Sequence, residues 1–169
     1  MELGGNAPFI VFEDADIDYA VTCFMNSKFR NAGQVCIASN RVFVQESIYE
    51  EFSMKLTERV SSLVIGNGLH TNISCGPLIN QNGLEKVISH VNDAVSKGAT
   101  VLTGGSINHD LNTNGGTFYN PTVLSNITTD MLPYQEETFG PVAPLMSFKT
   151  EEEVIKLAND TKFGLASYV

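Results

Sequence analysis

Short apolar runs alternate with longer segments of helical periodicity along the chain, and this alternation restricts the fold more than any other feature. The strand-like runs are 8–12, 41–45, 100–103, 120–124, 141–148 and 165–169. Helical spacing of apolar residues predicts helices over about 16–30, 47–63, 84–97 and 150–159. Strands that are separated by helices imply right-handed crossovers between parallel neighbours. We therefore predict one α/β domain with a doubly wound, mostly parallel sheet and flanking helices.

Local signals predict where some of these elements begin or are interrupted. Asp16 is a candidate N-cap, and the Ser-x-x-Glu and Thr-x-x-Glu patterns that start at Ser47 and Thr150 have the form of capping boxes. Pro144 has no N–H to give to a sheet ladder, so an edge position or a bend is predicted there. The polar segment 104–116 lacks periodicity and is predicted to be a surface excursion.

Composition excludes several classes of protein. The 169 residues are 43% hydrophobic, enough for one core, and the formal charge of −9 disfavours nucleic acid or an anionic membrane as a partner. No apolar run approaches the length of a membrane span, and no basic signal-peptide head is seen, so we expect a cytoplasmic protein. The three cysteines form no Cys-x-x-Cys pair and the three histidines show no ligand spacing. Reduced thiols and no metal site are therefore predicted.

The segment 29–36, Phe-Arg-Asn-Ala-Gly-Gln-Val-Cys, contains the candidate nucleophile Cys36. The preceding helix should end near Gly33, so the thiol would lie where a helix gives way to an irregular turn. An unpaired cysteine in such a chain is more often a small buried hydrophobe. Two other segments change that balance. Glu-Leu-Gly-Gly-Asn-Ala-Pro begins 34 residues upstream of Cys36, and Glu-Thr-Phe-Gly-Pro begins 101 residues downstream.

Together the three segments resemble the best-known motifs of the catalytic domain of aldehyde dehydrogenases, in the same order and at about the same spacing. The resemblance covers essentially all of the chain. Arg30 and the Gly5-Asn6 junction are most similar to the succinate-semialdehyde dehydrogenase branch. Many members of that branch carry a second cysteine two residues after the nucleophile, where this chain has Ala38. A regulatory disulfide by that route is therefore excluded.

The resemblance implies a mechanism and assigns roles to residues. Cys36 would attack an aldehyde as a thiolate, a hydride would pass to NAD or NADP, and the thioester would then be hydrolysed. Glu2 would be the general base that activates water, and the backbone N–H of Cys36 would help to hold the oxyanion. Glu137 would accept hydrogen bonds from a cofactor ribose, and Phe139 would bound the nicotinamide.

Arg30 would bind the distal carboxylate of the substrate, which points to a short carboxylated aldehyde such as succinate semialdehyde. Each of these residues also has a simpler interpretation. Glu2 and Glu137 could be surface acids, Phe139 a core residue, and Arg30 an exposed arginine favoured at a helix end.

The family's dinucleotide-binding and oligomerisation segments have no counterpart in residues 1–169, which we interpret as the catalytic domain alone. We expect this chain by itself to be inactive, to bind no cofactor and to self-associate through uncovered apolar surface, and the enzyme to be a homo-oligomer. Two alternatives remain open. The chain could be a non-catalytic structural or interaction module, or a CoA-acylating aldehyde dehydrogenase, although Glu2 favours release of the product by water.

Overall fold

The computed structural model describes residues 3–169. Its strands are β1 (Ala7–Val11), β2 (Ser39–Gln45), β3 (Thr100–Thr103), β4 (Thr122–Ser125) and β5 (Val142–Phe148). Its helices are α1 (Ile17–Lys28), α2 (Tyr49–Ser61), α3 (Gln81–Ser96), α4 (Leu132–Gln135) and α5 (Glu151–Asn159), with short 3-10 turns at Arg30–Gly33 and Glu46–Ile48. None of the helices in this part of the chain is both long and apolar enough to cross a bilayer.

The strands form one sheet in the order β1-β2-β5-β4-β3. The β1/β2, β2/β5 and β4/β5 pairs are parallel, and only β3 runs antiparallel to its neighbour β4. The exception has a simple cause, because no helix lies between β3 and β4 and the chain can return directly. The predicted mostly parallel α/β sheet with flanking helices is confirmed.

Alternate residues of each strand face opposite sides of the sheet and build two cores. Phe9, Val42 and Leu145 pack with α1 and α2 on one face. Phe43 and Phe148 pack with α3, α4 and α5 on the other. The sheet is therefore the middle layer of three, which holds the ends of its strands at fixed positions.

Two of the three predicted helix starts are confirmed. Asp16 accepts a hydrogen bond from the backbone N–H of Tyr19 at 3.0 Å, and Thr150 accepts one from Glu153 at 3.3 Å. The capping box at Ser47 is wrong. The N-cap of α2 is Ile48, whose aliphatic side chain cannot accept a hydrogen bond, and the Ser47 hydroxyl donates to the Glu13 carboxylate at 2.8 Å.

An edge position or a bend was predicted at Pro144, and the edge alternative is wrong, since β5 lies in the interior of the sheet. Pro144 is the last residue of β5 that pairs with β4, and pairing with β2 begins at the next residue. The N–H that Pro144 lacks is therefore missing where the pairing of β5 changes from β4 to β2. The strand predicted over 165–169 is reduced to a single parallel bridge between Tyr168 and Phe9 beside β1.

Candidate active site

Each of the three motif segments lies immediately before a parallel strand. Gly4 and Gly5 precede β1, Cys36 precedes β2, and 137–140 precede β5. Because β1, β2 and β5 are consecutive in the sheet and run in one direction, their amino ends lie at the same edge. Ligands of doubly wound sheets usually bind at the carboxyl ends. The motifs of this chain meet at the opposite edge.

Glycines allow the backbones of the three segments to touch. A side-chain carbon at Gly5 would overlap the carbonyl oxygen of Cys36 and lie 3.3 Å from its carbonyl carbon. A carbon at Gly33, whose φ is +75°, would overlap the carbonyl oxygen of Gly140. Only a residue without a Cβ permits such approaches. The Cys36 turn is therefore packed against both of the other segments.

The side chain of Glu137 adds a polar link between the first and third segments. The backbone N–H of Gly5 donates to Glu137 Oε1 at 3.0 Å. Glu137 also influences Lys28, a fully buried lysine in the last turn of α1. Burial lowers the pKa of Lys28 to about 7, and the negative charge of Glu137 opposes that shift. Glu137 is half-buried, so its carboxylate faces both the protein and the surface.

The turn that presents the thiol has an unusual backbone. Asn31, Ala32 and Gly33 all have positive φ, at 52°, 54° and 75°. A left-handed conformation costs a non-glycine residue about 1–2 kcal/mol. The surrounding contacts hold the turn in place: the Gln34 side chain donates to the Asn31 carbonyl at 3.1 Å and accepts from Ile79 N–H at 2.8 Å. Strain of this kind concentrates at functional sites.

The cysteines occupy different environments. Cys36 and Cys23 are half-buried, whereas Cys75 is buried. Burial raises the pKa of the Cys75 thiol to about 11, which makes it a poor nucleophile near neutral pH. Of these three thiols, only Cys36 lies in the turn that contacts both of the other motif segments.

A cavity of about 280 Å³ adjoins the Glu137 segment. It is lined by Gln34, Ile79, Gly83, Lys86, Glu137, Thr138 and Phe139. Phe139 is 36% exposed, with a positive φ of 55° that turns its ring outward from the core. A carboxylate and a flat apolar ring beside one opening are groups that could hold the ribose and nicotinamide of a dinucleotide. Sequence reasoning missed Lys86, because an exposed lysine on a helix gives no signal of its own.

A larger cavity of about 520 Å³ lies elsewhere, between β1 and the final segment of the chain. Its lining includes Asn6, Pro8, Arg41 and Leu165, and it does not include Glu137 or Phe139. Among the described residues, Cys36 lines neither of these two cavities. The smaller opening is therefore the one that adjoins the predicted residues Glu137 and Phe139.

The structure brings most of the predicted site residues to one edge. Cys36, Glu137 and Phe139 lie there together. Arg30 begins the 3-10 turn that leads to Cys36 and is exposed, and within residues 3–169 it has no ion-pair partner. The predicted general base, Glu2, lies outside the described residues.

Comparisons with known proteins show the family to which the chain belongs. The sequence profile described as the aldehyde dehydrogenase family matches residues 1–169. The chain is 54% identical to a mitochondrial succinate-semialdehyde dehydrogenase of Oryza sativa subsp. japonica over 169 residues, covering 100% of this chain and 31% of that protein. It is 54% identical to a 3-sulfolactaldehyde dehydrogenase of Pseudomonas putida, covering 99% of this chain and 34% of that protein.

A solved structure is similar throughout. The crystal structure of succinate-semialdehyde dehydrogenase from Burkholderia pseudomallei superposes with a TM-score of 0.95 at 51% identity, covering 99% of this chain and 34% of that one. The fold is the one found in this class of dehydrogenases. The chain belongs to the aldehyde dehydrogenase family. It spans about a third of the length of the curated relatives that it matches.

Proposed function

We propose that this chain is the thiol-bearing catalytic domain of an NAD- or NADP-dependent aldehyde dehydrogenase that oxidises succinate semialdehyde to succinate. The observation that carries the proposal is the convergence of three distant segments on Cys36. The Gly5 backbone packs on Cys36, and the same residue donates to Glu137 at 3.0 Å. A non-catalytic module has no need to hold a half-exposed thiol against a carboxylate-bearing segment in this way.

The chemistry follows from the groups at the edge. The Cys36 sulfur adds to the aldehyde carbon, and the carbonyl electrons move to oxygen. No described backbone bond uses the Cys36 N–H within residues 3–169, and this donor would help to stabilise the oxyanion. NAD or NADP, when bound, would supply the acceptor for the hydride that leaves as the oxyanion collapses. The sulfur is left as a thioester, and water that gives its proton to Glu2 then releases the acid and the thiolate.

Glu137 and Phe139 would bind and orient the cofactor. A carboxylate can accept two hydrogen bonds from a ribose diol, and the Gly5 N–H would keep the Glu137 carboxylate in position for that contact. An apolar ring limits the movement of a nicotinamide, and Phe139 lies two residues further along the same cavity wall. Lys86 lines the same cavity and would add a positive charge beside an anionic cofactor.

The proposed substrate rests on Arg30 and on the chemistry in the names of the relatives. Those names include succinate-semialdehyde, glutarate-semialdehyde and 3-sulfolactaldehyde dehydrogenases. Each of these aldehydes carries an anionic group. Arg30 is exposed, lies six residues before Cys36, and offers a planar pair of donors to a carboxylate. A substrate anchored there would present its aldehyde to the sulfur at a set distance.

The activity is tested by assaying the full reading frame that contains this chain with succinate semialdehyde and either cofactor. We expect reduction of the cofactor that depends on the aldehyde, loss of that activity in Cys36→Ser, and its retention in Cys23→Ser. Formation of an acyl-CoA in place of free succinate would favour the CoA-acylating alternative. A full-length protein that folds and turns over no aldehyde would contradict the proposal.

The substrate is tested separately with Arg30→Leu. The KM for succinate semialdehyde should rise by about 10²-fold, since one charge-assisted ion pair is worth roughly 2–3 kcal/mol, and the KM for a neutral aldehyde should change little. Arg59→Leu, which removes an exposed arginine of α2, is the matched control. Equal effects of Arg30→Leu on both aldehydes would remove the assignment.

A homo-oligomer in the cytoplasm is part of the same proposal. Leu3, Ile79 and Leu165, which belong to or adjoin the motif edge, are 63%, 80% and 58% exposed in this chain. Uncovered apolar surface of this kind favours association. Light scattering of the 169-residue chain should detect dimers or larger species, and a stable monomer at high concentration would count against this expectation.

A further inference from the structure

We propose that Asn40 is a positioning residue that sets the place of Glu137 and Phe139 relative to the Cys36 turn. The inference rests on the cofactor role proposed above for those two residues. Asn40 lies on β2, four residues after Cys36, and is 2% exposed. It does not reach the opening, so it would act through the segment that it holds.

The Asn40 side-chain amide forms hydrogen bonds with the backbone on both sides of Glu137. Its Nδ2 donates to the carbonyl oxygen of Glu136 at 2.9 Å, and its Oδ1 accepts from the N–H of Thr138 at 3.1 Å. A single buried side chain therefore fixes the residue before and the residue after the proposed ribose-binding carboxylate. Phe139 is the next residue after Thr138, so the hydrogen bond to Thr138 also fixes where the left-handed backbone of Phe139 begins.

The same amide connects this segment to the first motif. Asn40 Nδ2 also donates to Asn6 Oδ1 at 2.7 Å, and Asn6 in turn donates to the Tyr134 carbonyl at 3.0 Å. The two hydrogens of Nδ2 match its two shortest contacts, while a third carbonyl, that of Pro133, lies at 3.3 Å. Gly5, the neighbour of Asn6, donates its N–H to the Glu137 side chain. The Asn40–Asn6 pair is therefore connected to Glu137 twice, through the Glu137 side chain and through the backbone on either side of it.

The arrangement requires an amide and tolerates no close substitute. A carboxylate at this position could still accept from Thr138, but it would face the oxygens of Asn6 and Glu136 with no hydrogen to share. Rotation of the Asn6 amide would not relieve this repulsion, since its own oxygen would then turn toward the Tyr134 carbonyl. Asn40→Asp should therefore displace the segment, and Asn40→Ala should release it.

The test compares Asn40→Ala, Asn40→Asp and Glu137→Gln in the full reading frame, with Val60→Ala as a control. Val60 is a core residue of α2 on the opposite face of the sheet from α3, so its truncation lowers the melting temperature without touching the segment. For both Asn40 variants, kcat/KM for the cofactor should fall by about tenfold or more, because displacement of Glu137 and Phe139 would misplace the cofactor relative to Cys36. Alkylation of Cys36 by iodoacetamide should stay within about twofold of the unmodified protein, and Val60→Ala should leave both quantities unchanged.

A second measurement reads the geometry directly. In the full reading frame, the amide hydrogen of Thr138 should exchange with solvent faster in Asn40→Ala than in Val60→Ala, because it has lost its acceptor, and equal exchange in the two variants would overturn the inference. The inference is overturned if kcat/KM for the cofactor falls no further in the Asn40 variants than in Val60→Ala. If kcat/KM for the cofactor is unchanged in Glu137→Gln as well, the result rejects the proposed role of Glu137 and not the positioning role of Asn40. The two failures are therefore distinguishable.

Discussion

Replacing Gly5 by alanine should move the nucleophile without changing any reacting group. The added Cβ would approach the Cys36 carbonyl oxygen about 1 Å closer than an ordinary C···O contact of about 3.3 Å. Both atoms in the collision belong to the backbone, so no side chain can rotate away. The two segments must separate, and the bond from Gly5 N–H to Glu137 is stretched with them.

A displacement of about 1 Å at reacting atoms can lower the rate by about 10²-fold, which corresponds to roughly 3 kcal/mol of transition-state stabilisation. Overpacking should also lower stability, by about 1–3 kcal/mol. We expect Gly5→Ala in the full reading frame to lose about 99% of its kcat for aldehyde oxidation while it remains folded by circular dichroism.

Gly76→Ala is the matched control, because a Cβ at Gly76 would have no neighbour within 4 Å. Its rate and melting temperature should equal those of the unmodified protein. If Gly5→Ala is folded and its kcat lies within about threefold of that control, close backbone packing does not position Cys36 and the reasoning is refuted.

Three further expectations concern titration. The buried imidazole of His90 has its pKa lowered to about 4, chiefly by burial, so the unfolded chain binds more protons than the folded one between pH 4 and 6.5. The free energy of unfolding should fall by about 3 kcal/mol as the pH falls through that window, which chemical denaturation would measure. This pH dependence should become flatter in His90→Gln and stay unchanged in the exposed His109→Gln. Equal pH dependences in the two variants would contradict the assignment to His90. The pKa of Lys28 is lowered to about 7, so the unfolded chain binds the extra proton between pH 7 and 10.5 and stability should rise with pH, by about 2 kcal/mol from pH 7 to 9. That gain should disappear in Lys28→Met and persist in Lys149→Met, and its persistence in Lys28→Met would be evidence against a depressed pKa. Cys75, with its pKa raised to about 11, should resist alkylation at pH 8 until the chain is unfolded, and mass spectrometry of the labelled folded chain would reveal a failure.

The sequence predicted much of the local structure, and the reasons are local. The caps of α1 and α5 could be read from Asp16 and Thr150, because a capping side chain bonds to backbone only a few residues away. Ser47 has the same sequence pattern but does not cap its helix, and its hydroxyl donates to Glu13, a residue distant in the chain. The interior place of β5 was missed for a related reason, because sheet order depends on partners that Pro144 does not reveal.

Several features of the site gave no sequence signal. Lys28 resembled an ordinary basic residue in a last helical turn, and its complete burial follows only from what packs around α1. Asn40 appeared to be a polar residue before a strand. Its function as a link depends on carbonyl groups almost a hundred residues away, such as that of Glu136.

By itself the sequence determined which chemical groups this protein can use, namely a thiol in a turn, a carboxylate and an aromatic ring in another, and glycines beside each. It also placed each of these groups just before a strand, since apolar runs and helical periodicity are properties of neighbouring residues. The tertiary structure decided that Cys36 and Glu137, 101 residues apart, lie at one edge of the sheet. Parallel pairing placed β1, β2 and β5 side by side with their amino ends together, and the absence of a Cβ at Gly5 and Gly33 let the three backbones come into contact. Local propensity cannot encode that meeting, because it arises only when distant strands share a sheet.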